Sequence, residues 1–168
     1  VFLWRKIYVE LKTKQMILKQ KILLVIFSFW MSFGFSQVKV NAISEIDSLL
    51  RIQPKPILIL LSTDWCSYCK VQKKLVQKSE GFKIKASNFY YVEFDAESTD
   101  DIIFNGKMFK TSSKKNRKQT HELTFYLLEN SKPIYPTWLL LDSEYNVLFK
   151  HQGFLKPKFL DELVEKIY

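Results

Sequence analysis

The sequence predicts an α/β fold built on a mixed central sheet with helices on both faces. Three observations carry this. Ile57–Leu61 is an uninterrupted apolar run, the pattern of a strand buried on both faces. A second run, Phe89–Phe94, follows it across a segment of helical apolar spacing, and a strand–helix–strand crossover lays two strands parallel. A third, Trp138–Leu141, leads through a turn at Ser143–Asn146 into Val147–Lys150, the spacing of an antiparallel hairpin.

The first 36 residues read differently from the rest. Arg5, Lys6, Lys12, Lys14, Lys19 and Lys21 are opposed only by Glu10, and the uncharged run 22–35 follows them. A basic stretch, an apolar core and then Ser36-Gln37 is the layout of an export signal. The run falls short of the about 20 residues that a membrane span needs. Cleavage near Ser36–Gln37 would leave residues 37–168 as a periplasmic or secreted domain. Phe35 is bulky for a position beside a cleavage site, so an uncleaved N-terminal membrane anchor is the alternative. Met16, just ahead of Lys19 and Lys21, is an expected translation start.

This segment also distorts the charge balance. The chain carries 26 Lys+Arg against 17 Asp+Glu, a formal +9. Without residues 1–36, 20 basic and 16 acidic residues leave +4. Nucleic-acid binding, which needs concentrated positive charge, loses most of its electrostatic support. The length suits one domain with a modest core.

Within 37–168 each element has a local cause. Ile43, Ile46, Leu49 and Leu50 recur at helical spacing, with Ser44 as the expected start and Pro54 and Pro56 beyond the end. After the first strand, Val71, Leu75 and Val76 read as the inward stripe of a helix that Gly81 stops. Ile102–Phe109 is apolar, with Gly106 at a turn. Lys114-Lys115-Asn116-Arg117-Lys118 lacks interleaved aromatics and reads as a solvated loop rather than a binding patch. His121–Asn130 reads as a helix capped by Thr120, with Leu123, Tyr126, Leu127 and Phe125 inward and His121 as a surface or capping residue. Lys156–Tyr168 is a last helix with Pro157 in its first turn and Phe159, Leu160, Leu163, Val164 and Ile167 inward.

Chemistry concentrates at Trp65-Cys66-Ser67-Tyr68-Cys69-Lys70, which holds the only two cysteines of the chain. A helix beginning at Cys66 sets its sulfur beside unpaired backbone N–H groups at the positive end of the helix dipole. That field favours thiolate, so Cys66 is expected to titrate below the free value of about 8.5. Cys69, one turn on, can attack a mixed disulfide formed at Cys66. Two plainer readings compete. Half a zinc site would need His121 and His151, the only histidines, both far from compact ligand spacing. A purely structural bridge over so short a loop constrains the unfolded chain little.

Trp-Cys-x-x-Cys-Lys after the first strand, with Tyr135-Pro136-Thr137 before the third, resembles the thioredoxin superfamily over roughly Ile43–Tyr168. It is most similar to exported bacterial thioredoxin-like proteins, including the thioredoxin-type domains of membrane thiol–disulfide carriers. The resemblance implies a thioredoxin-like three-layer sandwich over 37–168. It implies catalytic Cys66 as nucleophile and Cys69 as resolving thiol, and a cis bond before Pro136. Trp65, Tyr135 and Pro136 would then form a substrate-binding groove in which the Tyr135 backbone pairs with an extended peptide. Gly153 matches a family glycine near the active site. Two departures stand out: Leu60 replaces an acid usual six positions before the first cysteine, and Ser67-Tyr68 replaces Gly-Pro.

These readings give a thiol–disulfide oxidoreductase of the cell envelope that reduces protein or peptide disulfides. No organic cofactor or metal is required. An upstream thiol electron donor, for which a membrane-bound carrier is a candidate, would re-reduce the pair, and the protein is read as a monomer. The rival reading is a non-catalytic peptide-binding or chaperone module that uses the same groove.

Overall fold

A computed structural model of the chain describes residues 14–22, 37–111 and 119–167. The chain divides into two units at Ser36/Gln37. In the first, residues 14–22 are helical, and no helix among the described residues is long and apolar enough to cross a membrane. The apolar run 23–35 of the expected signal and the basic cluster Lys114–Lys118 lie outside the described residues.

The second unit opens with a 3₁₀ turn at Ile43–Glu45 and α1 (Ile46–Ile52). There follow β1 (Ile57–Ser62), α2 (Ser67–Lys78), α3 (Glu80–Lys85) and β2 (Tyr90–Asp95). A short hairpin, β3 (Ile102–Phe104) and β4 (Lys107–Phe109), precedes α4 (Glu122–Leu127). The chain closes with β5 (Thr137–Leu141), β6 (Val147–Gln152) and α5 (Pro157–Glu165).

The main sheet has the order β2-β1-β5-β6. β1 runs parallel to β2 and antiparallel to β5, and β5 pairs antiparallel with β6, so the sheet is mixed. Strand side chains alternate between faces, and β1 divides its core accordingly. Ile57, Ile59 and Leu61 pack with Ile46, Leu50, Phe104, Leu123 and Leu127 on the side of α1, the hairpin and α4. Leu58 and Leu60 pack with Val76, Phe82, Trp138, Leu160 and Val164 on the side of α2, α3 and α5. Every β1 residue is buried, which is why that strand reads as one apolar run. This is the thioredoxin-like three-layer arrangement.

Several local expectations are corrected. The first helix does not start on a Ser44 cap: Ala42 accepts the Glu45 N–H at 3.0 Å, and no side chain caps it. Gly81 does not stop the helix after the cysteines. Ser79 ends α2, and its Oγ accepts the Phe82 N–H at 2.9 Å to start α3, which contains Gly81. A Cβ on Gly81 would stand 3.2 Å from Asp161 Oδ1, so the glycine serves close packing of α3 on α5. The inward stripe of α2 is Cys69, Gln72 and Val76; Val71 is exposed and Leu75 half-buried. Phe125, Tyr126 and Phe159 also face outward.

His121, rather than Thr120, caps α4, and it is fully buried. Its Nδ1 accepts the Leu123 N–H at 3.1 Å while Nε2 lies 2.9 Å from the Asp100 carbonyl. That pattern requires the tautomer protonated at Nε2. Both ring nitrogens are thereby engaged within the fold.

Candidate active site

β1 delivers the chain to the site and stops at Ser62. The Cys66 N–H donates to the Thr63 carbonyl at 3.2 Å, a tight turn that places Cys66 at the N-cap of α2 rather than inside it. From there the Cys69 N–H donates to Cys66 Sγ at 3.1 Å. A free N–H of the first helical turn thus finds its acceptor in sulfur. Cys66 and Cys69 are joined as a disulfide with Cα atoms 5.3 Å apart. Cys66 retains 6% of its surface and Cys69 1%, so an incoming partner meets Cys66 first.

The residues expected to form the groove come together from three segments. Trp65 is 63% exposed and meets the Tyr135 ring edge-on, with centroids 6.1 Å apart. The Tyr135–Pro136 bond is cis. Gly153, with φ +115°, donates its N–H to the Pro136 carbonyl at 2.7 Å. Only a residue that tolerates positive φ suits that position, and the contact ties the end of β6 to the segment before β5. His151 lies within β6, its ring stacked on Phe149.

Three further residues support this site although the sequence reading did not single them out. The Trp65 Nε1–H donates to Glu97 Oε1 at 2.9 Å, and Glu97 follows directly on β2. Gln72, fully buried on the inner face of α2, accepts the Leu155 N–H at 2.8 Å through Oε1. Phe154, between Gly153 and Leu155, packs against Tyr68 with ring centroids 6.2 Å apart. The signal for Gln72 was its i+3 spacing from Cys69, which puts a polar side chain on an otherwise buried stripe.

Electrostatics around the pair are divided. Burial raises the pKa of Tyr135, Glu97 and Asp95 push it the same way, and the Thr120 hydroxyl works against them. Among the described residues, Thr63 Oγ1 and Glu97 Oε2 are buried and reach no hydrogen-bond partner. Beneath α2 the position of the family acid is held by fully buried Leu60. Its cross-strand neighbour is Glu93, which pairs with Lys73 at 3.2 Å and accepts the Tyr91 hydroxyl at 3.1 Å.

Residues 48–143, more than half of the chain, match the family model described as thioredoxin-like. The chain belongs to the thioredoxin-like family. Among solved structures, the oxidoreductase DsbH is similar at 16% identity and TM-score 0.53, over 77% of this chain and 84% of its own. A thioredoxin-fold protein from Helicobacter pylori is similar at 18% identity and TM-score 0.53, over 79% of this chain and 78% of its own. At such identities the likeness concerns the fold. No curated protein sequence matches the chain. Family membership together with the Cys66–Cys69 disulfide makes this thioredoxin-like chain a thiol–disulfide oxidoreductase.

Proposed function

We propose that the protein reduces protein or peptide disulfides in the cell envelope, with Cys66 as nucleophile and Cys69 as resolving thiol. The observation that carries this is the Cys66 N-cap geometry: its Sγ accepts the Cys69 N–H at 3.1 Å at the start of a twelve-residue helix. The same donor and the helix dipole favour a thiolate there once the bridge is reduced.

In the cycle, Cys66 thiolate attacks one sulfur of the substrate disulfide. A mixed disulfide forms, and the first substrate sulfur leaves as a thiolate that takes up a proton. Cys69, deprotonated, then attacks Cys66 Sγ and expels the second substrate sulfur. Two electrons have passed to the substrate, and the Cys66–Cys69 bridge remains for an upstream thiol donor to reduce. Trp65 and the Tyr135–Pro136 backbone border the site where an extended substrate would pair. The export pattern of residues 1–36 supports the envelope setting, where disulfides persist, and a membrane-bound thiol carrier is the donor that setting suggests.

Insulin reduction with dithiothreitol as donor tests the reading. Cys66→Ser should abolish turnover, whereas reduced Cys69→Ala, freed of dithiothreitol and then mixed with insulin, should accumulate a covalent mixed disulfide visible by mass spectrometry. Turnover surviving in Cys66→Ser would contradict it.

A further inference from the structure

We propose that the solvent face of α2 is the docking surface for the disulfide-bearing protein substrate, and that it selects a segment in which apolar side chains run alongside carboxylates. The proposal rests on the oxidoreductase reading and names the substrate class of that site.

With Cys69, Gln72 and Val76 turned inward, helical geometry lays two neighbouring stripes along the outer side of α2. Tyr68, Val71 and Leu75 form one; Lys70, Lys74 and Lys78 form the other, directly beside it. Tyr68 is 67% exposed and Val71 48%, and the three lysines are exposed. Exposed apolar residues are ordinary singly. Here they are aligned, and the line begins between the two cysteines. Tyr68 carries it across to Phe154, and exposed Trp65 borders the disulfide from before the helix.

The charge pattern decides what fits. α2 contains no acidic residue. Lys73 is paired with Glu93, but Lys70, Lys74 and Lys78 make no ion pair among the described residues. A segment seated on Tyr68 and Val71 therefore lies against a row of ammonium groups that make no ion pair among the described residues. Carboxylates on its flank would meet that row, and lysines or arginines there would be repelled. Complementary charge of this kind acts chiefly on encounter rate and partner choice.

The test uses the reduced full chain and two synthetic peptides that close the same disulfide ring. One flanks a leucine with glutamates, the other with lysines. Each rate is divided by the peptide's own rate with dithiothreitol, which removes intrinsic reactivity. At low ionic strength the glutamate peptide should react about tenfold faster or more. The ratio should fall towards one in 1 M salt, where the screening length is about 3 Å, and the double variant Lys74→Glu, Lys78→Glu should invert it. Equal rates in the unaltered protein overturn the docking proposal and leave the exchange chemistry standing. If neither peptide nor hydroxyethyl disulfide is reduced, the oxidoreductase reading fails instead. Binding of the two peptides to the oxidised protein by fluorescence anisotropy then decides docking: tighter binding of the glutamate peptide supports it, and equal binding overturns it.

Discussion

The backbone N–H of Cys69 donates to the sulfur of Cys66 across 3.1 Å. One contact thus joins the two cysteines through the helix itself, independently of the bridge between their sulfurs. It predicts unequal thiols after reduction. Alkylation of the reduced protein by iodoacetamide across pH should modify Cys66 first, with a midpoint below the free-thiol value of about 8.5. Cys69, at 1% exposure, should be modified slowly throughout.

Gln72 predicts a coupling between the core and the rim. Its Oε1 holds the Leu155 N–H at 2.8 Å, directly after the Gly153-Phe154 step. Gln72→Leu would leave that buried N–H without an acceptor, at a cost of about 1–3 kcal/mol. The urea midpoint should fall accordingly. Insulin reduction should slow beyond what unfolding explains, because Phe154 and the Gly153–Pro136 contact lose their anchor.

Asp47 holds the opposite side of the molecule. It accepts the Asn105 N–H at 2.9 Å, the Gly106 N–H at 2.8 Å and the Tyr145 hydroxyl at 2.5 Å. The hairpin tip and the turn before β6 are thereby tied to α1. Burial alone would raise its pKa, but the Tyr145 hydroxyl, the two backbone donors and Arg51 together hold it below the ordinary carboxylate value. A folded-state pKa below the unfolded one gives stability that is present above about pH 4 and is lost as pH falls through the folded value. Asp47→Ala should lower stability at neutral pH by about 1–2 kcal/mol. It should also flatten the acid limb of the stability–pH profile, measured by urea denaturation.

What the sequence disclosed, and what it hid, follows from the range over which each signal acts. β1 was legible because both faces are buried and the run is unbroken; β5 and β6 were legible from a second apolar run and a short connection. The cysteine pair was legible because spacing and flanking residues act within one helical turn. The register of α2 was not. Val71 and Leu75 are apolar, so they read as core, yet Gln72 takes the buried position because the Leu155 N–H, 83 residues on, requires an acceptor. Gly81 misled in the same way, because Asp161 of α5, distant in sequence, sets its role; His121 caps α4, one of its two expected roles, while the partner of its Nε2 is the Asp100 carbonyl, outside that local pattern. Glu97 gave no local sign, since its meaning lies in the Trp65 indole.

The most direct measurement is the reduction potential of the Cys66–Cys69 pair, by equilibration of the full chain in glutathione buffers with thiol alkylation as readout. A disulfide reductase predicts a reversible two-electron transition near about −270 mV. A value near about −120 mV would contradict the direction proposed and make the protein a donor of disulfides. Failure to equilibrate at all would contradict redox function itself.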